Sequence, residues 1–432
     1  MSTPYRRNAK TPAGRIAATP STANWGGFFG LLQEYAGAAA GYSLRKIGSG
    51  PVVRLRRASD NEEKDFAAGE VVAGTAGAEL VTNGGFDTDT DWTKASNWTI
   101  TGGQAVSDGT VAIGQLRQDG FISSEAGVYY KITFTVVACS NFTSAGTIID
   151  SSVATGFSAS WQITSTGTYS AIFKTTGTNS NFGFWTGAGV TMTLDDVSCV
   201  PYTPSPAELW ALNGKSQIAR QTNESAYATT WYDQSGSGND ASQATAASQP
   251  LLIRAGVTNT DNGKAALSWS GSQSLVLSTV TGVSGLTVFS CVSFNSISNL
   301  SFNYQVTTII GSETSGLVND FALGGKNNYA RTYAEDGSTG IVTTSSGTIT
   351  TDQRYLISGQ SNAASSFVSV NGSLTSGTGS RDDLIVDAIG GKGLFSIPQM
   401  DGNIQEIIVY PSDQSANRVG IETNINDHYG IY

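Results

Sequence analysis

The sequence predicts an all-β protein with more than one domain. A chain of 432 residues is too long for a single small domain. Only 13% of its residues are charged and 51 are glycine, a composition that excludes a coiled coil or a long-helix protein. With 39% hydrophobic residues, including 8 Trp, 16 Tyr and 17 Phe, the chain can build hydrophobic cores, which argues against disorder throughout. Short alternating segments between Gly-rich turns therefore predict packed β-strands.

Residues 1–35 are predicted to be a basic N-terminal arm or anchor. Residues 1–24 are rich in Pro, Ala and Thr and have no period, which indicates an extended segment. The whole chain has a net charge of −10, yet no acidic residue precedes Glu34. An acidic partner surface and a solvated tail both remain open, while nucleic-acid binding would need a denser basic patch with stacking aromatics. The candidate partner-binding residues of this arm are Arg6, Arg7, Lys10 and Arg15.

Residues 36–77 are predicted to start a β-sandwich. Val53 and Leu55 alternate with Arg54 and Arg56, which indicates a half-buried strand with one basic face. Together with Arg57, these arginines are expected to face the acidic later part of the chain. The acidic run from residue 59 to 65 closes the strand.

Residues 78–201 are predicted to form a separate, compact β unit. The clearest alternation lies in residues 128–138, and about 120 residues of short strands is the size of a β-sandwich or jelly roll. The residues expected to point to its core from that strand are Tyr130, Ile132, Phe134 and Val136.

Residues 202–432 carry signals for two helices and a hairpin. Ser205, Pro206 and Glu208 have the spacing of a capping box with proline at the first helical position. Asn371-Gly372 between two short apolar segments predicts a type I′ hairpin turn. A C-terminal helix is expected over residues 413–429, with an apolar face made of Val419, Ile421, Ile425 and Tyr429.

Three motifs resemble the arabinofuranosidase-B-like sandwich as it occurs in bacteriophage structural proteins. They are Tyr42-Ser-Leu-Arg45, the segment 54–61 (RLRRASDN), and the segment 230–240 (TWYDQSGSGND). Residues 402–410 (GNIQEIIVY) and 424–431 (NINDHYGI) resemble the closing strand and helix of a laminin-G or concanavalin-A-like lectin domain. The resemblance implies a lectin-like β-sandwich formed by residues 36–77 and 202–432.

The middle unit resembles a carbohydrate-binding-module jelly roll. Residues 80–87 (LVTNGGFD) followed by Trp92 match its opening strand, and residues 194–198 (LDDVS) match its last strand. The resemblance implies that this jelly roll is inserted into the lectin-like sandwich. It also implies a structural Ca²⁺ at Asp87 and Asp195, with solvated or capping aspartates as the alternative; no other cofactor is expected.

Aromatic residues of the jelly roll are candidates for stacking on sugar rings. Trp92 and Trp185 are two candidates, although most tryptophans of so small a domain belong to the core. Tyr129 lies on the polar side of its strand and is the better candidate for an exposed platform.

A glycosidase would need two facing carboxyl groups about 5–9.5 Å apart. Asp233 precedes a Gly-rich turn, where aspartate usually accepts hydrogen bonds from backbone amides. Glu406 lies in a strand and is expected to be buried and hydrogen-bonded. No carboxylate lies in a recognisable catalytic motif, so no catalytic residue is assigned. The candidates in the lectin-like sandwich are Asp233, Asp240, Asp320, Glu335, Asp387 and Glu406.

The remaining reactive side chains are few. His428 is the only histidine and is expected to be a surface residue near the end of the last helix. The three cysteines, Cys139, Cys199 and Cys291, favour buried thiols, with a Cys139–Cys199 disulfide as the alternative.

The resemblance implies a non-enzymatic virion structural protein, of the capsid-decoration, head-fibre or tail-fibre type, anchored through its arm. Its expected partners are other virion proteins, in a homo- or hetero-oligomeric assembly, and glycans of the host surface or the environment. No apolar run could span a membrane and no secretion signal is recognised, so synthesis in the host cytoplasm without secretion is expected. The alternatives are an arabinofuranosidase-like glycoside hydrolase with an appended binding module, and an adhesin for host polysaccharide.

Overall fold

The computed structural model describes most of the chain from residue 30 onwards. The described ranges are residues 30–111, 113–120, 126–140, 146–147, 165–176, 182–213, 225–298, 306–312, 319–334, 341–391 and 399–432. The predicted anchor residues Arg6, Arg7, Lys10 and Arg15 lie outside them. The predicted all-β fold is confirmed: large antiparallel sheets form two β-sandwiches, and the strands of the smaller one come between the early and the late strands of the larger one. In the described ranges, no helix is long and apolar enough to cross a membrane.

The secondary-structure elements follow one another in three groups. The first group is α1 (Leu31–Glu34), β1 (Ala40–Ser43), β2 (Val53–Arg57), β3 (Glu63–Phe66) and a 3₁₀ turn at Ala68–Glu70. The second group is β4 (Thr75–Ala76), β5 (Thr93–Lys94), β6 (Trp98–Thr101), β7 (Gln104–Ser107), β8 (Ile113–Gln118), β9 (Ala126–Ser140), β10 (Gly146–Thr147), β11 (Gly167–Thr176), β12 (Phe182–Gly187) and β13 (Thr191–Thr203).

The third group begins with α2 (Pro206–Leu212) and ends with α3 (Arg418–Tyr429). Its first strands are β14 (Ala226–Trp231), β15 (Ala241–Ser242), β16 (Leu251–Arg254) after a 3₁₀ turn at Ala246–Ser248, β17 (Val257–Thr258), β18 (Thr260–Asp261), β19 (Lys264–Ala265), β20 (Leu267–Ser270), β21 (Leu275–Thr281) and β22 (Leu286–Phe294). Its later strands are β23 (Thr307–Gly311), β24 (Phe321–Lys326), β25 (Tyr329–Ala334), β26 (Ile341–Thr348), β27 (Arg354–Ser361), β28 (Ser365–Val370), β29 (Ser373–Thr378), β30 (Ile385–Ile389) and β31 (Asp401–Tyr410).

The larger sandwich is built from the first and third groups. One sheet has the order β1-β31-β22-β27-β28-β29, and the other has the order β3-β2-β14-β15-β21-β30-β23-β24-β25-β26. Strands β16 and β20 join the two sheets, because β16 pairs with β14 and β20 pairs with β31. The core between the sheets includes Trp231 and Trp269, whose ring centroids are 6.2 Å apart.

Strand β2 has the predicted alternation, because Val53 and Leu55 are fully buried. The expectation that its arginines face the acidic later part of the chain is wrong. Arg54 pairs with Asp65 at 2.6 Å, and Arg57 pairs with Asp60 and Glu62. These acidic partners belong to the acidic run of residues 59–65, which follows β2. A short hairpin places β3 beside β2, so that Asp65 lies opposite Arg54 and Glu63 lies opposite Arg56.

The smaller sandwich consists of the sheets β10-β12-β8-β5 and β11-β9-β13-β7-β6, with β4 added on β13. The predicted inward side of β9 is confirmed, because these four side chains are at most 3% exposed: Tyr130, Ile132, Phe134 and Val136. Cys139, Cys199 and Cys291 are free thiols, so the alternative disulfide is not formed; Cys199 and Cys291 are buried as predicted, whereas Cys139 is half-buried.

Three further local predictions are tested by the structure. The capping box of α2 is present, with Ser205 and Glu208 each accepting from the other's backbone amide. Asn371 and Gly372 have φ angles of 49° and 80°, as the hairpin between β28 and β29 requires. Helix α3 packs on the sandwich through Ile421, Ile425 and Tyr429, but Val419 is 62% exposed because the buried side is narrower than predicted.

Candidate functional site

Asp233 organises the loop that follows β14. Its carboxylate accepts hydrogen bonds from the backbone amides of Gly41 at 2.9 Å, Ser235 at 2.8 Å and Asn239 at 3.1 Å. The Ser235 hydroxyl donates a fourth bond at 2.8 Å. The Asp233 amide itself donates to Asp240 at 2.9 Å. The expectation that Asp233 binds backbone amides is therefore confirmed, and its oxygens hold the loop against β1.

Glu406 is fully buried at the centre of an internal polar cluster. Arg45 forms a bidentate pair with it, at 2.7 and 2.9 Å. The hydroxyls of Ser43 and Tyr429 also donate to it, at 2.8 and 3.2 Å. Burial, together with the charge of Glu406, raises the pKa of Tyr429 well above its usual value, so the phenol stays a donor. The expectation of a buried, hydrogen-bonded Glu406 is confirmed.

Among the described residues, the remaining carboxylates considered for catalysis lie outside the hydrogen-bonded clusters centred on Asp233 and Glu406, apart from Asp240. Asp320 lies just before β24 and Asp387 lies on β30, and both are buried in the larger sandwich. Asp320 forms an isolated bridge with Ile385, two residues before Asp387, so these two aspartates are neighbours. Asp240 belongs to the loop that Asp233 organises. Glu335 lies outside the described residues.

The predicted sugar platforms occupy less open positions than expected. Trp92 is a core residue, because it is 7% exposed, contacts Phe86 and Phe184, and donates from its indole to a backbone carbonyl at 3.0 Å. Tyr129 is half-buried and packs against the cluster between the two sandwiches. Neither ring offers an open face of the kind expected for a platform. The side chain of Trp185, on β12, lies outside the described part of the chain.

The two aspartates predicted to hold calcium are on the surface of the smaller sandwich. Asp87 is exposed, and Asp195 is half-buried and accepts a hydrogen bond from the amide of Asp196 at 2.8 Å. Among the described residues, no three His, Cys, Asp or Glu side chains are close enough together to hold a metal ion. The calcium site stays a prediction.

Glu208 is the fully buried carboxylate that ties the two sandwiches together. Tyr202, at the end of the smaller sandwich, donates to it from its hydroxyl at 3.0 Å. The backbone amides of Ser205, Thr258 and Gly74 donate to it at 2.9, 2.9 and 3.2 Å. Gly74 packs so closely on Tyr202 that a Cβ there would lie 2.7 Å from the ring. The capping glutamate predicted for α2 is therefore also the polar centre of the junction.

A basic cleft of about 400 Å³ lies beside the end of α3. Arg45, Lys46, Lys264 and His428 contribute to its lining. His428 is half-buried rather than a free surface residue, and burial lowers its pKa to about 4. The charges of Arg45 and Lys264 contribute to this lowering of the pKa, and the charge of Glu406 opposes it. His428 is consequently neutral at pH 7.

A second cleft, of about 490 Å³, crosses the strands that join the two sheets of the larger sandwich. We call it the Tyr227 cleft. Its main lining residues are Arg56, Tyr227, Leu251, Arg254, Ser268 and Gln273.

The strand register explains why these residues meet. Arg56 on β2 lies opposite Tyr227 on β14, which lies opposite Leu251 on β16, which lies opposite Ser268 on β20. Directly opposed residues of adjacent strands share one face of a sheet. The four side chains therefore form a row across four strands. The guanidinium of Arg56 lies 5.4 Å from the centroid of the Tyr227 ring, within cation–π distance.

Sequence reasoning missed the Tyr227 cleft. Of its residues, only Arg56 carried a signal, as part of the basic face of β2. Tyr227, Arg254 and Gln273 are isolated side chains in three separate segments, and no spacing rule connects them. The alternation of half-buried Arg56 with buried neighbours marks this face of β2, but only the strand register shows which strands lie beside it.

The comparisons with known proteins show similarity to β-sandwich proteins that bind sugars or act on glycosides. No family model and no curated protein sequence matches the chain. An α-L-arabinofuranosidase of glycoside hydrolase family 54 is 15% identical, with a TM-score of 0.34, over 71% of this chain and 60% of that one. Trypanosoma rangeli sialidase is 10% identical, with a TM-score of 0.32, over 78% of this chain and 63% of that one. A heptameric SAP-like pentraxin from Limulus polyphemus is 16% identical, with a TM-score of 0.29, over 37% of this chain and 82% of that one. This chain thus spans less than two thirds of the arabinofuranosidase and of the sialidase.

Proposed function

We propose that this protein is a non-enzymatic structural component of a virus particle that displays a glycan-binding β-sandwich. The observation that carries the glycan-binding part is the Tyr227 cleft. It combines an aromatic ring, an apolar side chain, two guanidinium groups and neutral amide and hydroxyl groups in one open groove. Sugar rings are bound by this combination, because their C–H faces pack on aromatic and apolar groups while their hydroxyls need polar partners.

The absence of carboxylates from the cleft favours binding without hydrolysis. Among the described residues that line the Tyr227 cleft, none is Asp or Glu, whereas a glycosidase needs a pair of them across the bond that it cleaves. Asp233 and Glu406, the carboxylates with the strongest sequence context, are occupied by internal hydrogen bonds. Removing either from its partners would cost stability, so both suit a structural role.

The junction between the two sandwiches is well packed, which suits a protein that holds a binding surface in a fixed position. Glu208 joins three separate segments, and an apolar cluster of Ile172, Tyr202 and Leu212 packs beside it. A junction with both buried apolar area and satisfied hydrogen bonds resists bending. In the proposed assembly, residues 1–35 anchor the protein to other virion proteins, and the larger sandwich faces outward.

The binding function is tested by applying the purified full-length chain to a glycan array. We expect binding to a defined set of glycans and its loss in Tyr227→Ala. Tyr432→Ala is the matched control, because Tyr432 is a 56% exposed tyrosine away from the cleft. Circular dichroism checks that both variants are folded. No glycan bound, or equal binding by Tyr227→Ala, would refute the proposal, and release of product from aryl arabinosides would support the hydrolase instead.

The anchoring function is tested separately with a deletion of residues 1–24. We expect the shortened chain to keep its β-sheet circular dichroism spectrum and to be absent from purified particles. Incorporation at the level of the full chain would show that the arm is not the anchor.

A further inference from the structure

We infer that the Tyr227 cleft selects acidic saccharides, and specifically sugars that carry a carboxylate, such as hexuronates. This inference rests on the proposed glycan-binding function and adds the class of ligand. It is carried by two arginines in the cleft, neither of which forms an ion pair with a described acidic residue.

Arg56 is held in place by neutral partners. Its Nε donates to the amide oxygen of Gln249 at 2.8 Å, and one terminal nitrogen donates to the amide oxygen of Asn61 at 2.9 Å. Glu63 lies opposite Arg56 on β3, yet within the described ranges the two form no ion pair. Two neutral acceptors orient the guanidinium without cancelling its charge, and the other terminal nitrogen remains available to a ligand.

Arg254 is the second cation of the cleft. It is exposed at the end of β16, and its side chain makes no hydrogen bond or ion pair with any residue that the structure describes. In a chain with a net charge of −10, most arginines described here have an acidic partner, as Arg54, Arg57 and Arg418 do. Arg56 and Arg254 have no such acidic ion-pair partner in the described part of the chain and line the same groove, so together they create a local positive potential that attracts an anion.

The groups between the arginines suit a sugar rather than a simple anion. From Arg56 to Ser268 the groove spans three strand spacings, about 14 Å. Tyr227 and Leu251 form its apolar floor. Gln273 is fixed through its Oε1, which accepts from the amide of Ser270 at 2.6 Å, so its amide nitrogen is left as a donor. Donors for ring hydroxyls and a guanidinium fork for a carboxylate are thus combined in one groove.

The test is isothermal titration calorimetry of the full-length chain with two matched ligands. One is a hexuronate oligosaccharide, and the other is the same oligosaccharide with its carboxyl groups reduced to neutral alcohols. We expect the acidic ligand to bind at least about tenfold more tightly, because only the carboxylate accepts charge-assisted hydrogen bonds from the arginines. Raising the salt concentration should narrow the difference.

The variants separate the inference from the function on which it rests. Arg254→Gln should lose about tenfold affinity for the acidic ligand alone, whereas Tyr227→Ala should lose affinity for both ligands. Lys264→Gln, which removes an exposed cation from the other cleft, should change neither. Equal binding of both ligands, an unaffected Arg254→Gln, or preference for a sulfated sugar over the hexuronate would overturn the inference and leave the function standing. Binding of no saccharide at all would overturn both.

Discussion

The hydroxyl of Tyr202 donates to the carboxylate of Glu208 at the point where the chain returns from the smaller sandwich to the larger one. Tyr202 is the last buried residue of β13, and Glu208 lies in the first turn of α2. Burial, with the charge and hydrogen bond of Glu208 adding to it, raises the pKa of Tyr202, so the phenol remains a donor in the ordinary pH range. One glutamate therefore caps a helix and joins two sandwiches.

Replacing Glu208 should weaken the junction in a graded way. Glu208→Ala leaves the donors of Gly74, Ser205 and Thr258 without their acceptor, and we expect it to lower the free energy of unfolding by about 3 kcal/mol. Glu208→Gln keeps one acceptor oxygen and should cost about half as much. Leu209→Ala, at an exposed position of the same helix, should stay within about 0.5 kcal/mol. Calorimetric unfolding measures all three, and equal effects would contradict the role of Glu208.

The ion pair of Glu406 with Arg45 should be far more sensitive than a surface pair. Glu406→Gln leaves a largely buried guanidinium without its counter-charge, and we expect a loss of about 3 kcal/mol or more. Asp65→Asn breaks the exposed pair with Arg54 and should cost less than about 1 kcal/mol. Urea unfolding of the two variants gives the comparison. Similar losses would mean that burial does not set the strength of the inner pair.

His428 should make the protein less stable as the pH falls below 6.5. Its pKa in the folded state is about 4, below the ordinary 6.5, because burial disfavours its charged form. Above pH 6.5 the imidazole is neutral in both states and has no effect on stability. Between pH 6.5 and about 4 the unfolded chain binds a proton that the folded chain does not, so stability falls with pH. His428→Gln should remove this part of the dependence.

The measurement for His428 is the difference in free energy of unfolding between the native chain and His428→Gln. We expect that difference to shift against the native chain from pH 7 to pH 5, where most carboxylates are still ionised. A difference that is flat over this range would show that His428 titrates alike in both states.

The three thiols should differ in reactivity. Burial raises the pKa of Cys199 and, well above its usual value, that of Cys291, and both side chains are inaccessible. Cys139 is half-buried, and its pKa is raised as well. We expect iodoacetamide to label Cys139 slowly in the folded protein and the other two only in denaturant, as read by peptide mass spectrometry. Cys139→Ser should then show no labelling when folded; early labelling of Cys291 would contradict the burial.

Local features of the fold could be read from the sequence because they depend on residues close together in the chain. The capping box at Ser205 and Glu208, the Asn371-Gly372 turn and the alternation of β9 each involve fewer than about a dozen neighbours. Val419 shows where such reasoning ends. Its spacing fits the apolar side of α3, but the width of that side is set by the strands it packs on.

The candidate site could not be predicted in the same way. The sequence suggested Tyr129 as a platform because it lies on the polar side of its strand, yet that side packs at the junction. Alternation of polar and apolar residues shows which side of a strand is polar. It does not show whether that side faces solvent or packs against a second domain. The basic arm contributes only four cations before Glu34, and Arg54 and Arg57 of β2 form their ion pairs with acidic residues of the following hairpin.

The class of the fold, the alternation of its strands, the cap of α2 and the structural use of Asp233 and Glu406 could all be predicted from the sequence. These follow from periodicity and from the preferences of side chains for particular turns. That Arg56, Tyr227, Leu251 and Ser268 share one groove became visible only in the folded protein. The register of four strands, from segments up to 212 residues apart, brings them together. Register is a property of the whole packed core, because a shift by one residue would move every side chain to the opposite face.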